Sequence, residues 1–136
     1  MKTAKEVNDE ILAVFKDGDN DRLFSLYSTS VVVREAPSLP FGGEYVGHDG
    51  LRRLLAAMGD SFDIEPTLLD VFEISDSLVI IYMSLRMAVP TTGEVVDMPV
   101  LELLTLRDGV VVEAVPFYWD TQQVVAMASR ARSSQP

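Results

Sequence analysis

One stretch limits what this chain can fold into more than any other: the run from Gly93 to Trp119 reads as a long β-hairpin that turns at Arg107-Asp108-Gly109. On its first strand Val96, Met98, Val100, Glu102, Leu104 and Leu106 fall in one phase. A strand sends alternate side chains to opposite faces, so these six share a face. Glu102 therefore interrupts an otherwise apolar row. The second strand ends in Phe117-Tyr118-Trp119, followed by Asp120. A lone carboxylate on an apolar sheet face, close to aromatic rings, is the sharpest chemical hint in the sequence.

The rest of the chain supplies elements for such a sheet to cover. Thr3 and Glu6 have the spacing of a capping box, and Val7, Ile11, Leu12, Val14 and Phe15 follow at helical intervals up to Gly18. Asp19 or Asn20 caps a second, short helix carrying Leu23, Leu26 and Tyr27. Val31-Val32-Val33 begins a strand that runs to Glu35 and is stopped by Pro37 and Pro40. The loop to Gly43 is apolar, with Leu39 and Phe41; it suits either a flap over a cavity or a loop packed on its own side chains. Glu44-Tyr45-Val46 is extended, and a third helix follows, capped by Asp49, with Leu51, Leu54, Leu55 and Met58 as its buried stripe. Phe62–Ser75 reads as a strand bent near Pro66. Leu78–Val89 is a strand apolar in both phases, hence covered on both faces. After the hairpin, Asp120 caps a last short helix with Val124, Val125, Met127 and Ala128, and the polar tail from Arg130 to Pro136 is expected to fray.

The length of 136 residues fits one domain that buries roughly two thirds of its unfolded surface. A net charge of −10 is repelled by phosphate backbones and anionic lipid, which argues against nucleic acid and membrane partners. With no cysteine and a single histidine, thiol chemistry is excluded and no metal-ligand cluster is in sight. No phosphate loop, nucleophile triad or dinucleotide fingerprint is present, so no cofactor is expected. The N-terminus lacks the apolar core of a signal peptide, and no apolar run approaches the ~20 residues of a membrane helix. The expected location is cytoplasmic.

The order helix, helix, strand, helix, then four long strands is an α+β plan with helices segregated on one sheet face. Four segments, Asp19–Tyr27, Val31–Glu35, Gly43–Leu51 and Pro116–Thr121, resemble the SnoaL-like branch of the nuclear transport factor 2-like superfamily. That resemblance covers nearly the whole chain. It implies a cystatin-like α+β barrel: a cone-shaped, curved, mixed or antiparallel sheet wrapped around the N-terminal helices, with a deep apolar central pocket. It also implies a homodimer paired through the outer sheet face. Members include ketosteroid isomerases, polyketide cyclases, epoxide hydrolases and dehydratases, so the fold alone does not choose an activity.

By this resemblance Glu35 stands near the general base of the isomerases, and Glu102 near the position of a protonated acid that donates to an oxyanion. Burial beside an apolar cavity raises a carboxyl pKa into a useful range. The alternatives are an exposed acid for Glu35 and a structural pair with Arg86 or another buried donor for Glu102. The isomerases also carry a tyrosine on the first helix. The corresponding place here falls near Ile11, which speaks against steroid isomerisation by that arrangement. The expected catalytic residues are Glu35 and Glu102. The expected ligand contacts are Tyr27, Phe41, Tyr45, His48, Tyr82, Arg86, Met98 and Trp119. Phe117 and Trp119 share one phase and Tyr118 the other, so only one set faces the cavity; Trp119 is the expected wall. The ligand would be a small, largely apolar molecule bearing a carbonyl or hydroxyl. Isomerisation, cyclisation or hydration by carboxylate acid–base chemistry is one reading. A non-catalytic ligand binder and a plain dimerisation module remain as alternatives.

Overall fold

The computed structural model describes residues 2–134, the side chains of Phe15 and Asn20 excepted. In chain order the elements are α1 (Ala4–Asp17), α2 (Asn20–Ser25), β1 (Tyr27–Glu35), β2 (Gly43–Val46), α3 (Gly47–Gly59), β3 (Asp63–Ser75), β4 (Leu78–Ala88), β5 (Val95–Arg107), β6 (Val110–Tyr118) and α4 (Thr121–Ser133). The strands form one curved, unclosed sheet in the order β2-β1-β6-β5-β4-β3. From β3 to β6 the strands are successive antiparallel hairpins, while β1 runs parallel to β6. The architecture is α+β, with α1 packed against β3 and β4, and α3 against β1.

The helix ends follow their capping chemistry. The Thr3 hydroxyl accepts from the Glu6 amide, and Gly18, at φ 74°, closes α1 with its N–H on the Val14 carbonyl. Ala4, Val7, Ile11 and Val14 form the buried stripe; Phe15, expected beside them, lies outside the described side chains. Asp19 caps α2 through the Arg22 amide. Tyr27 is not in that helix but opens β1, four residues before the valine run. Asp49 does not cap α3: Val46 occupies that position without a side-chain bond, and Asp49 pairs with Arg52 inside the first turn. Asp120 caps α4 through the Gln123 amide. This helix continues to Ser133 rather than fraying at Arg130. Ala131 is buried, and Arg130 grips Glu94 through two 2.7 Å bonds. Gln135 and Pro136 lie outside the described residues.

The loop after β1 is packed rather than open. Leu39 and Phe41 are in the core, and Gly42 lies where a Cβ would overlap the Ala36 carbonyl oxygen. The hairpin turns at Asp108 and Gly109, both at positive φ, the backbone a tight two-residue turn needs. On β5 the expected row is the inner one: Met98, Val100, Leu104 and Leu106 are buried there with Glu102 among them. On β4, Val79, Ile81, Met83, Leu85 and Met87 are buried, but the opposite phase carries exposed Tyr82 and Arg86. Within one chain β4 is thus covered on the inner face, and its outer phase is open to solvent.

Candidate functional site

Between the helices and the inner face of the sheet lies a cavity of about 250 Å³. Its helical wall is Ile11 and Leu12 of α1, Leu23 and Phe24 of α2, and Leu51, Leu54, Leu55 and Met58 of α3. Its sheet wall comes from β1, β3, β4, β5 and β6, with Phe62 just ahead of β3. Among the described residues the ionisable groups on this lining are Tyr27, Glu35, Glu102 and Tyr118, with no lysine, arginine or histidine beside them.

Strand register explains how the two acids meet. Val33 of β1 pairs with Ala114 of β6. Two residues further along both strands stand Glu35 and Pro116. On the other side of β6, Pro116 pairs with Glu102 of β5. Glu35 and Glu102 therefore flank Pro116 from neighbouring strands on one face, about 10 Å apart at the backbone for two strand spacings. Tyr118, two residues beyond Pro116, points the same way and pairs with Val100.

The electrostatics follow from this placement. Glu35 is buried, and its Oε1 has no hydrogen-bond partner among the described residues. Burial, and then the Glu102 charge, push its carboxyl up to about 8. Glu102 is half-buried against the cavity, and desolvation pushes it up to about 7. Coulomb repulsion is mutual, so whichever carboxyl ionises first makes the second harder to ionise. Burial raises the Tyr118 phenol, and the charges of Glu35 and Glu102 raise it further. The Tyr27 phenol is raised by burial and by Glu102. Both phenols therefore stay protonated as donors. Near neutral pH one small apolar chamber offers a proton acceptor, a carboxylic acid and two phenols.

The structural pair proposed for Glu102 is absent. Arg86 sits exposed on the outer face of β4, opposite Asp97 and Glu65. Of the other expected contacts, Tyr27 lines the cavity and the rest do not. Phe41 packs behind the wall, edge-on to Phe62 at 6.5 Å and tilted against Tyr118 at 6.0 Å. The Tyr45 hydroxyl donates to the Phe41 carbonyl at 3.0 Å. His48 lies with Nε2 3.0 Å from the Tyr27 carbonyl oxygen and its ring against Phe24, so it anchors the start of β1. Met98 is in the core away from the cavity. Tyr82 and Trp119 are on the outside, Trp119 82% exposed.

Tyr118 and Phe24 are the residues that sequence reasoning passed over. For Tyr118 a signal existed. Its phase carries Ala114 and Pro116, short side chains that leave room for a cavity, whereas the Trp119 phase carries Val115 and Phe117. Phe24 had none, since one turn of helix gives no period to read.

A curved sheet closed by helices over an acid-bearing chamber defines a class of pocketed α+β proteins. The sequence matches the SnoaL-like domain family over residues 9–114, and the chain belongs to that family. Solved structures agree in fold. A nuclear transport factor 2-like protein from Burkholderia thailandensis superimposes with a TM-score of 0.84 at 20% identity, covering 100% of both chains. A proposed polyketide cyclase from Pseudomonas putida gives 0.77 at 16% identity, over 91% of this chain and 97% of that one. A protein of ketosteroid isomerase-like fold from Catenulispora acidiphila, solved with trimethylamine, gives 0.76 at 13% identity, over 94% and 95%. No curated protein matches the sequence.

Proposed function

We propose that the cavity binds a small, largely apolar molecule bearing a carbonyl or hydroxyl and moves a proton on it. One observation carries this reading: two unpaired carboxyls, both raised in pKa, face a single apolar cavity from adjacent sides of β6. Clusters of perturbed titratable groups in a concave site are where acid–base chemistry is expected. Whichever of Glu35 and Glu102 is ionised takes the proton from carbon or water, and the other in its acid form, or the Tyr118 phenol, donates to the substrate oxygen where charge develops. Proton abstraction next to a carbonyl, cyclisation and hydration all use this pair without further groups.

A second copy of the chain pairs on the outer sheet face. Tyr82, Leu101 and Phe117 lie side by side across β4, β5 and β6, with Phe72 and Trp119 nearby in sequence register and also exposed. A contiguous apolar patch of this kind marks an interaction surface.

Hydrogen–deuterium exchange at carbon tests the chemistry without knowledge of the natural substrate. Cyclic ketones such as 2-tetralone and cyclohexanone, incubated with the protein in D2O, are expected to exchange their α-protons. Replacing Glu35 by glutamine should slow that exchange by about 10²–10⁴-fold, the range of general acid–base catalysis. Ketones that bind in the cavity but exchange no faster with the native protein than with Glu35→Gln would make it a ligand binder without catalysis.

A further inference from the structure

We propose that the cavity selects a ligand with a basic nitrogen, a protonated amine seated between the Glu35 and Glu102 side chains with its hydrocarbon body against the apolar walls. This rests on the reading of the cavity as a ligand site and adds the charge of what enters it.

The charge inventory of the lining points to a cation. The faces that α1, α2, α3, β3 and β4 turn to the cavity carry uncharged side chains; β1 contributes Tyr27 and Glu35, β5 Glu102, and β6 Tyr118. Every group there that can ionise becomes negative, and no basic residue among the lining residues compensates. An anionic ligand would meet two like charges at low dielectric. A neutral ligand leaves the repulsion between the acids in place. An ammonium group removes it and lets both carboxyls ionise.

Solvation favours the same partner. Burying a carboxylate is costly, and a buried ion pair usually gains little because both ions lose their water. Here the fold has already withdrawn Glu35 and part of Glu102 from water, so most of the remaining desolvation falls on the ligand. Glu35 Oε1 is a buried acceptor without a donor, and an ammonium carries donors and no acceptor. Because Glu35 and Glu102 flank one residue, Pro116, one small head group can meet both. The rings of Phe24, Tyr27, Phe62 and Tyr118 on the same lining suit the polarised methylene groups beside a cationic nitrogen. With the ammonium held as counter-ion to one carboxylate, the other remains free to take a proton.

Three ligands of one shape and different charge provide the test: cyclohexylamine, cyclohexanol and cyclohexanecarboxylate, titrated into the protein at pH 8. Binding is read from the methyl resonances of Ile81, Met83 and Leu54, which line the cavity. The amine is expected to bind at least tenfold more tightly than the alcohol, and the carboxylate to leave these methyls unmoved. Lowering the pH to 5.5 should weaken the amine at least tenfold and leave the alcohol unchanged, because the acids regain their protons. The Glu35→Gln, Glu102→Gln double variant keeps the acidic surface and buries no charge. In it the amine should lose its advantage while the alcohol still binds. An alcohol that binds as tightly as the amine, or an amine advantage that survives in the double variant, overturns the cation proposal and leaves the pocket reading intact. If none of the three moves the cavity methyls, both readings fall together.

Discussion

Replacing Glu35 by glutamine will make the protein more stable at pH 8. In the unfolded chain a glutamate ionises near its ordinary value of 4.5; in the folded protein Glu35 holds its proton up to about 8. Between those values unfolding releases a proton, so raising the pH favours the unfolded state. The contribution of Glu35 is complete below pH 4.5 and is lost as the pH climbs to about 8. Each unit of difference is worth about 1.4 kcal/mol, so the cost at pH 8 amounts to a few kcal/mol. Glutamine keeps the shape and removes the charge. Urea unfolding of the native protein should show stability falling from pH 5 to pH 8. The variant should show a flatter profile and exceed the native protein by a few kcal/mol at the upper end, leaving the smaller decline due to Glu102. A variant that is less stable at pH 8 would mean that Glu35 has a favourable partner when ionised.

The second large effect concerns the outer face. Leu101 and Phe117 pair across β5 and β6 and are 47% and 59% exposed. A sheet face presenting this much apolar surface is stabilised by a second such face, because association removes it from water. Converting both residues to aspartate places like charges at the centre of the patch and at the same positions of the copy opposite. In sedimentation experiments at micromolar concentration the native protein should be a dimer. The Leu101→Asp, Phe117→Asp variant should be a monomer with association weakened at least a hundredfold, several hot-spot contacts being lost together. Both side chains point away from the core, so the variant should keep the native circular dichroism. A native protein that sediments as a monomer would contradict the dimer.

The inner row of β5 was legible because strict alternation ran through it without a break, and the Asp108-Gly109 turn fixed where it reversed. Glu35 was legible by resemblance, as the last residue of a strand that β-branched residues announce. The second strand of the hairpin was harder. Between the pairs Leu106–Val111 and Thr105–Glu113 the ladder shifts by one residue, leaving Val112 unpaired. A bulge of this kind flips every later side chain to the other face. Counting from the turn without it sends Glu113 inward. With it, Ala114, Pro116 and Tyr118 face the cavity, and Trp119 goes outside. Nothing in the local residues marks the bulge. The parallel pairing of β1 with β6, which sets Glu35 across Pro116 from Glu102, is likewise a long-range event without a local signal. His48 and Tyr45 looked chemical because of their side chains. The fold spends both on main-chain carbonyls, those of Tyr27 and Phe41.

The chemistry depends on Glu35 and Glu102 sharing one apolar chamber as uncompensated, mutually repelling acids. Carbon-13 NMR of the side-chain carboxyls of protein labelled in glutamate, titrated from pH 3 to pH 9, tests it directly. Two resonances, each removed by its own glutamine substitution, should titrate near 7 and near 8, and in Glu102→Gln the Glu35 midpoint should fall as its neighbour's charge is removed. Titration of both carboxyls close to 4.5, each unmoved by loss of the other, would contradict the claim.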